Sequence, residues 1–93
     1  MTDKLYTVVL DFRGGTYIGQ VSKESPDKAA EEWAKAVSPD DARAWKLNKG
    51  ELLKLLRGDK PTALNGCIGV WCFSGEIEGH LALVNVVQTS TDV

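Results

Sequence analysis

Two runs in the last third of this 93-residue chain limit what it can fold into. Cys67–Phe73 (CIGVWCF) and Leu81–Val87 (LALVNVV) are each apolar at six of seven positions, interrupted only by Gly69 and Asn85. A strand with one wet face alternates apolar and polar residues. Continuous runs of this length belong to strands covered on both sides. The segment between them, Ser74 to His80 (SGEIEGH), holds two glycines and predicts an antiparallel hairpin. Whatever the rest of the chain does, it must cover this sheet twice or leave one face to a partner.

The remainder supplies one cover with confidence in its chemistry. Lys4–Phe12 (KLYTVVLDF) is rich in β-branched and aromatic residues, Arg13-Gly14-Gly15-Thr16 breaks it, and Tyr17–Ser22 resumes a strand-like run. Gly-Gly between two such runs is a hairpin signal, because tight hairpin turns need positive φ. Tyr6, Val8, Leu10 and Phe12 share one face of the first strand and form the better core set. Ser25-Pro26-Asp27 then starts a helix over residues 26–37: a capping hydroxyl, a proline where the donor is unused, and an acid at the positive end. Ala29, Ala30, Trp33, Ala36 and Val37 give it one apolar face. Ser38-Pro39-Asp40-Asp41 repeats the start signal and predicts a second, short helix. Trp45–Asn48 alternates like a strand, whereas 50–57 reads as helix and stops at Gly58 through Pro61.

The expected fold is one α+β domain over residues 1–93. Its mostly antiparallel four-stranded sheet is made of two hairpins, with one long helix and one or two short helices between them, in the order β-β-α-(α)-β-β. The helix at 26–37 covers one sheet face. The 40–57 region, a fold-back of the sheet or another chain covers the second, and a symmetric homodimer is the simplest form of the last.

Charge divides the chain in the same place. Residues 1–60 hold all eleven Lys and Arg against ten acids, while residues 61–93 hold only Glu76, Glu78 and Asp92. The net charge of −2 gives no global attraction to nucleic acid. Locally, Arg43, Lys46, Lys49, Lys54, Arg57 and Lys60 against Glu51 and Asp59 leave +4, with Trp45 among them. Basic residues around an aromatic suit single-stranded nucleic acid, with Lys54 and Arg57 as contacts, but a solvated helix face is the plainer explanation.

Catalytic chemistry is sparse. Cys67 and Cys72 would lie on opposite faces of one strand, roughly 17 Å apart, too far for a disulfide. Their plain role is that of two buried small hydrophobes. A thiol activated by His80, in a pocket with Trp71 and Cys72, is the sharper alternative. His80 is the one histidine, so Cys and His alone build no four-ligand zinc site, and no cofactor or metal is expected. A hairpin rim favours a solvated His80. Asn85 needs a hydrogen-bond partner in a neighbouring loop or helix end, or a place in a pocket or on a dimer axis. No phosphate loop, GxSxG elbow or His-Glu-x-x-His is present.

YTVVLDFRGGTYIGQV followed by SPDKAAEEWAKAV, about a third of the chain, resembles the antitoxin half of HicA–HicB pairs, where a hairpin also precedes a Glu- and Ala-rich helix. That family places a Pro-Gly-Cys stretch between the two, and Glu24-Ser25-Pro26 stands there instead. No functional residue is carried over.

The expectation is a non-catalytic binding or regulatory protein acting on a protein partner as a homodimer, more an accessory than an enzyme. Trp71, His80, Asn85, Lys54 and Arg57 are its candidate binding residues. A small-molecule binder or thiol enzyme and a nucleic-acid accessory are the alternatives. No run reaches the eighteen apolar residues a membrane helix needs, and no secretory lead is visible, which points to the cytoplasm.

Overall fold

Lys4–Phe12 form β1 and Gly15–Lys23 form β2, paired antiparallel without a break from Lys4↔Lys23 to Phe12↔Gly15. The computed structural model describes residues 3–58 and 61–89. Arg13 (φ 51°) and Gly14 (φ 82°) make the turn, both in the left-handed region that a two-residue hairpin loop requires. The loop is therefore Arg13-Gly14, and Gly15 is already strand. Glu78 (φ 52°) and Gly79 (φ 82°) repeat this geometry between β4, Val70–Ile77, and β5, His80–Thr89. The expected seven-residue link at 74–80 is thus a two-residue turn with strand on either side.

The sheet has five strands rather than four. Thr62–Ala63 adds a short β3 on the outside of β4, and the order is β2-β1-β5-β4-β3, every neighbour antiparallel. β1 pairs β5 from Leu5↔Thr89 to Phe12↔Ala82, so the two hairpins lie side by side with the first and last long strands at the centre. Cys67 falls outside the strands. It sits in an exposed loop with Ile68, which is fully solvent-exposed, so the start of the expected 67–73 run is not buried. Gly69 (φ 75°) ends that loop, and its carbonyl accepts the Gln88 amide at 2.7 Å.

Three helices lie between the hairpins: α1 (Pro26–Ala36), α2 (Pro39–Trp45) and α3 (Lys49–Gly58). Ser38 caps α2 by accepting from the Asp41 amide at 3.1 Å, whereas Ser25 makes no side-chain cap. The strand-like alternation at 45–48 is a helix-to-helix turn. Lys46 adopts the left-handed conformation (φ 56°), Leu47 donates back to Ala42, and the Asn48 side chain caps α3 by accepting from Glu51. Lys49 fastens the join: its ammonium donates to the carbonyls of Lys35 and Val37, at 2.6 and 2.7 Å, at the end of α1.

All three helices pack on one side of the sheet. Tyr6, Val8, Leu10, Phe12, Phe73, Ile77, Ala82, Val84 and Val86 are buried there against Ala29, Ala30, Trp33, Leu52 and Leu56. Two glycines let the layers approach. A Cβ on Gly19 would lie 2.3 Å from Nε1 of Trp33, and one on Gly75 2.4 Å from Leu55. Each glycine is the hollow in which a large side chain sits. The 40–57 region thus shares a side with α1, and among the described residues the second face is left uncovered.

Candidate functional site

The uncovered face is built by the alternate residues of the same strands. Its middle row, read across the sheet through the strand register, is Ile18–Val9–Asn85–Cys72–Thr62. The row on one side is Gln20–Thr7–Val87–Val70 and on the other Thr16–Asp11–Leu83–Ser74, with Leu81 and Glu76 beyond. Its apolar members are partly or largely exposed, Ile18 at 66% and Leu81 at 60%. Asp11 and Glu76 are its charged residues, and no Lys or Arg projects from these rows. Apolar and polar residues are about equal in number across these rows, with both charges toward one end, a mix that a modest non-obligate interface shares with ordinary surface.

Polar side chains near the margins satisfy one another. Thr7 and Thr89 share a hydroxyl–hydroxyl bond of 2.5 Å, Gln20 donates to Thr7 at 3.1 Å, and Thr16 donates to Asp11 at 2.7 Å. Asn85 does not join them. Its half-buried amide, in the middle row, bonds to no other side chain or loop among the described residues, so the expected neighbouring partner is not there.

The other sequence candidates are dispersed. Trp71 faces the helices, edge-on to Tyr6 at 6.1 Å, while Cys72 beside it points to the uncovered face. His80 is exposed at the far end of the sheet, edge-on to Phe12 at 6.1 Å, and pairs with Ile77. The five residue steps from Cys72 to Ile77, the strand partner of His80, separate thiol from imidazole by roughly 17 Å, on opposite faces. The structure does not bring Trp71, Cys72 and His80 into one pocket. In the basic stretch, Lys54 lies 3.9 Å from Glu51, Arg43 3.2 Å from Asp40, and Arg57 donates to Glu31 at 2.9 Å. With Lys49 bound to carbonyls, Lys46 is the remaining cation there among the described residues; Lys60 lies outside them. Arg57, by that bond and its charge, holds the Glu31 carboxyl below the usual range.

One further feature escaped the sequence. Tyr17 from β2, Trp33 from α1 and Trp45 from α2 form a run of near-parallel rings, Tyr17–Trp45 at 4.0 Å and 18°, Trp33–Trp45 at 6.3 Å and 12°. They wall a cleft of about 400 Å³ that Thr16, Ile18, Val37 and Asp41 complete. Asp41 makes no ion pair among the described residues. The three aromatics stand 12 to 28 positions apart in the chain, so no local pattern could announce them.

Among the described residues, no three His, Cys, Asp or Glu side chains group as metal ligands, and no helix is long and apolar enough to cross a membrane. No protein family, curated protein or solved structure matches this chain, so the resemblance of its first third to an antitoxin carries no argument.

Proposed function

We propose that this chain is a non-catalytic binding or regulatory protein that works through protein–protein contact as a homodimer, two copies meeting through the uncovered sheet face. The observation that carries this is the placement of every helix on one side of the sheet, which leaves Ile18, Val9, Val87, Val70, Leu83 and Leu81 on the other side without a covering layer among the described residues. Four long strands at about 4.8 Å spacing and eight residues at about 3.3 Å outline a face of roughly 500 Å². Two such faces bury on the order of 1,000 Å², near the lower bound for a specific interface, so the dimer is weak and concentration-dependent. Aligned sheets pack about 10 Å apart, close enough for side chains of the two middle rows to interdigitate. A two-fold axis near Asn85 sets its amide against its own copy. An amide is donor and acceptor at once, and so suits a self-paired position. Asp11 and Glu76 then fall toward the rim, where water screens them.

Sedimentation from low micromolar to sub-millimolar protein tests this. The expected result is a monomer passing to a dimer as concentration rises, with Val9→Lys remaining folded and monomeric throughout. A single 10.1 kDa species at every concentration overturns the dimer.

A further inference from the structure

We propose that the outer edge of β2 is a strand-addition site for an extended segment of a partner protein, and that the aromatic cleft beside it receives an arginine side chain of that segment. This rests on the binding-protein reading but not on the dimer, which uses the sheet face and not its edge.

The two edges of the sheet differ in kind. At one edge the two-residue β3 pairs, among the described residues, only with Trp71 and Cys72, and the bare stretch of β4 beyond it, Phe73–Ile77, is five residues long. β2, at the other, runs nine residues in unbroken register with no proline. Antiparallel pairs alternate between those that exchange hydrogen bonds and those that do not, and the residues flanking a two-residue hairpin loop exchange them. Phe12 and Gly15 flank the loop here, so the odd-numbered residues of β2 bond inward to β1. The amides and carbonyls of Thr16, Ile18, Gln20 and Ser22 therefore face outward, and no turn or loop bond occupies them. A nine-residue edge of this kind is a template for a further strand.

The cleft says what that strand carries. Thr16, Tyr17 and Ile18 border it, so it opens onto the edge backbone itself. An added residue opposite Tyr17 or Gly19 projects toward the helices, on the side of the cleft that half-buried Trp45 and exposed Asp41 line. Tyr17 and Trp45 already stack on each other, so the group the cleft offers a cation is a carboxylate, a planar, two-oxygen acceptor. Guanidinium fits that acceptor: it is flat and pairs bidentately with a carboxylate, which a lysine ammonium does not. Its three-carbon stem suits the apolar walls formed by Ala36 and Val37. Lys23, at the far end of the strand, already lies 4.0 Å from Glu32, so the edge brings no cation of its own to Asp41.

The test is a titration of the intact protein with a blocked peptide of sequence threonine-valine-arginine-valine-threonine, followed by tryptophan fluorescence and by amide exchange in isotope-labelled protein. The expected result is a saturable fluorescence change with slowed exchange at Thr16, Ile18, Gln20 and Ser22. Replacing arginine by citrulline, which keeps the shape and removes the charge, weakens binding about tenfold. Asp41→Asn gives the same loss with the arginine peptide and abolishes the preference between the two. Gln20→Pro removes an outward donor while sparing the β1 ladder, and binds neither peptide although its circular dichroism is unchanged. Equal binding of the citrulline peptide overturns the arginine site. Absence of protection along β2, or protection there that rises with protein concentration and needs no peptide, overturns the partner strand. The sedimentation result for the sheet face is independent of each of these.

Discussion

Val9 and Leu10 are neighbours in the chain, in the same strand, with similar side chains, yet they live on the two unlike faces of one sheet. Leu10 is fully buried under the helices, whereas Val9 stands in the middle of a face with nothing over it. The helix face owes its cover to two glycine hollows and a lysine that ties α1 to α3. The other face mixes about as many polar residues as apolar ones, and no layer covers it among the described residues. Hydrophobicity alone does not say which face the chain itself will cover. That is decided by where the close approaches are, at Gly19 and Gly75, and these exist on one side only.

The comparison breaks first, and by most, at this pair. Leu10→Ala is expected to cost about 2–5 kcal/mol in urea unfolding, because it removes packed atoms and leaves a cavity. Val9→Ala is expected to cost under about 1 kcal/mol in dilute protein, and more as concentration rises and a second copy covers it. Equal costs in dilute protein would mean that the uncovered face is already covered in the monomer. Next in size is Gly19→Ala, whose new methyl meets the Trp33 indole and should cost about 1–3 kcal/mol. Its neighbour Gln20→Ala, on the other face, should stay within about 0.5 kcal/mol by the same thermal melt.

These differences explain what could be read from the chain beforehand. Both hairpins, the first helix and the double-sided apolarity rest on local rules, of turn glycines, of a Ser-Pro-Asp start and of alternation, so they stood out in the residues themselves. β3 did not, since a two-residue strand has no period. The Lys46 turn did not either, because a lysine in the left-handed region carries no glycine to mark it. Cys67 looked buried by its apolar neighbours, but the strand begins only at Val70. The uncovered face is legible as an excess of apolar residues, whereas the loop or helix-end partner expected for Asn85 is absent among the described residues, and a pocket or dimer axis is the expectation left for it. The cleft was invisible, because Tyr17, Trp33 and Trp45 meet only after three elements have docked.

Two smaller effects sharpen the account of the helix layer. Lys49→Met keeps the side-chain stem but loses the donors to Lys35 and Val37, and should lower stability by about 1 kcal/mol in thermal denaturation. Weakest is the Arg57–Glu31 pair. Its hydrogen bond sets the folded carboxyl below its unfolded value, so the pair stabilises above the ordinary glutamate range and loses that contribution as pH falls through it. Arg57→Ala should flatten the acid limb of a plot of urea midpoint against pH, by little, since both side chains are substantially exposed.

The pairing of β1 with β5 has a kinetic consequence. Leu5 meets Thr89 across nearly the whole chain, so the central ladder of the sheet closes the longest loop available. The β1–β2 hairpin closes locally, but α1 also packs on α3 and β5, and the centre of the core waits for the last strand. Until β5 arrives, the inner edge of β1 is as bare as the outer edge of β2, and a nascent chain shows both edges of its first hairpin where the finished protein keeps only the outer one open. Folding is therefore expected to be limited by the docking of the β4–β5 hairpin, and the slow step belongs to topology rather than to any single residue.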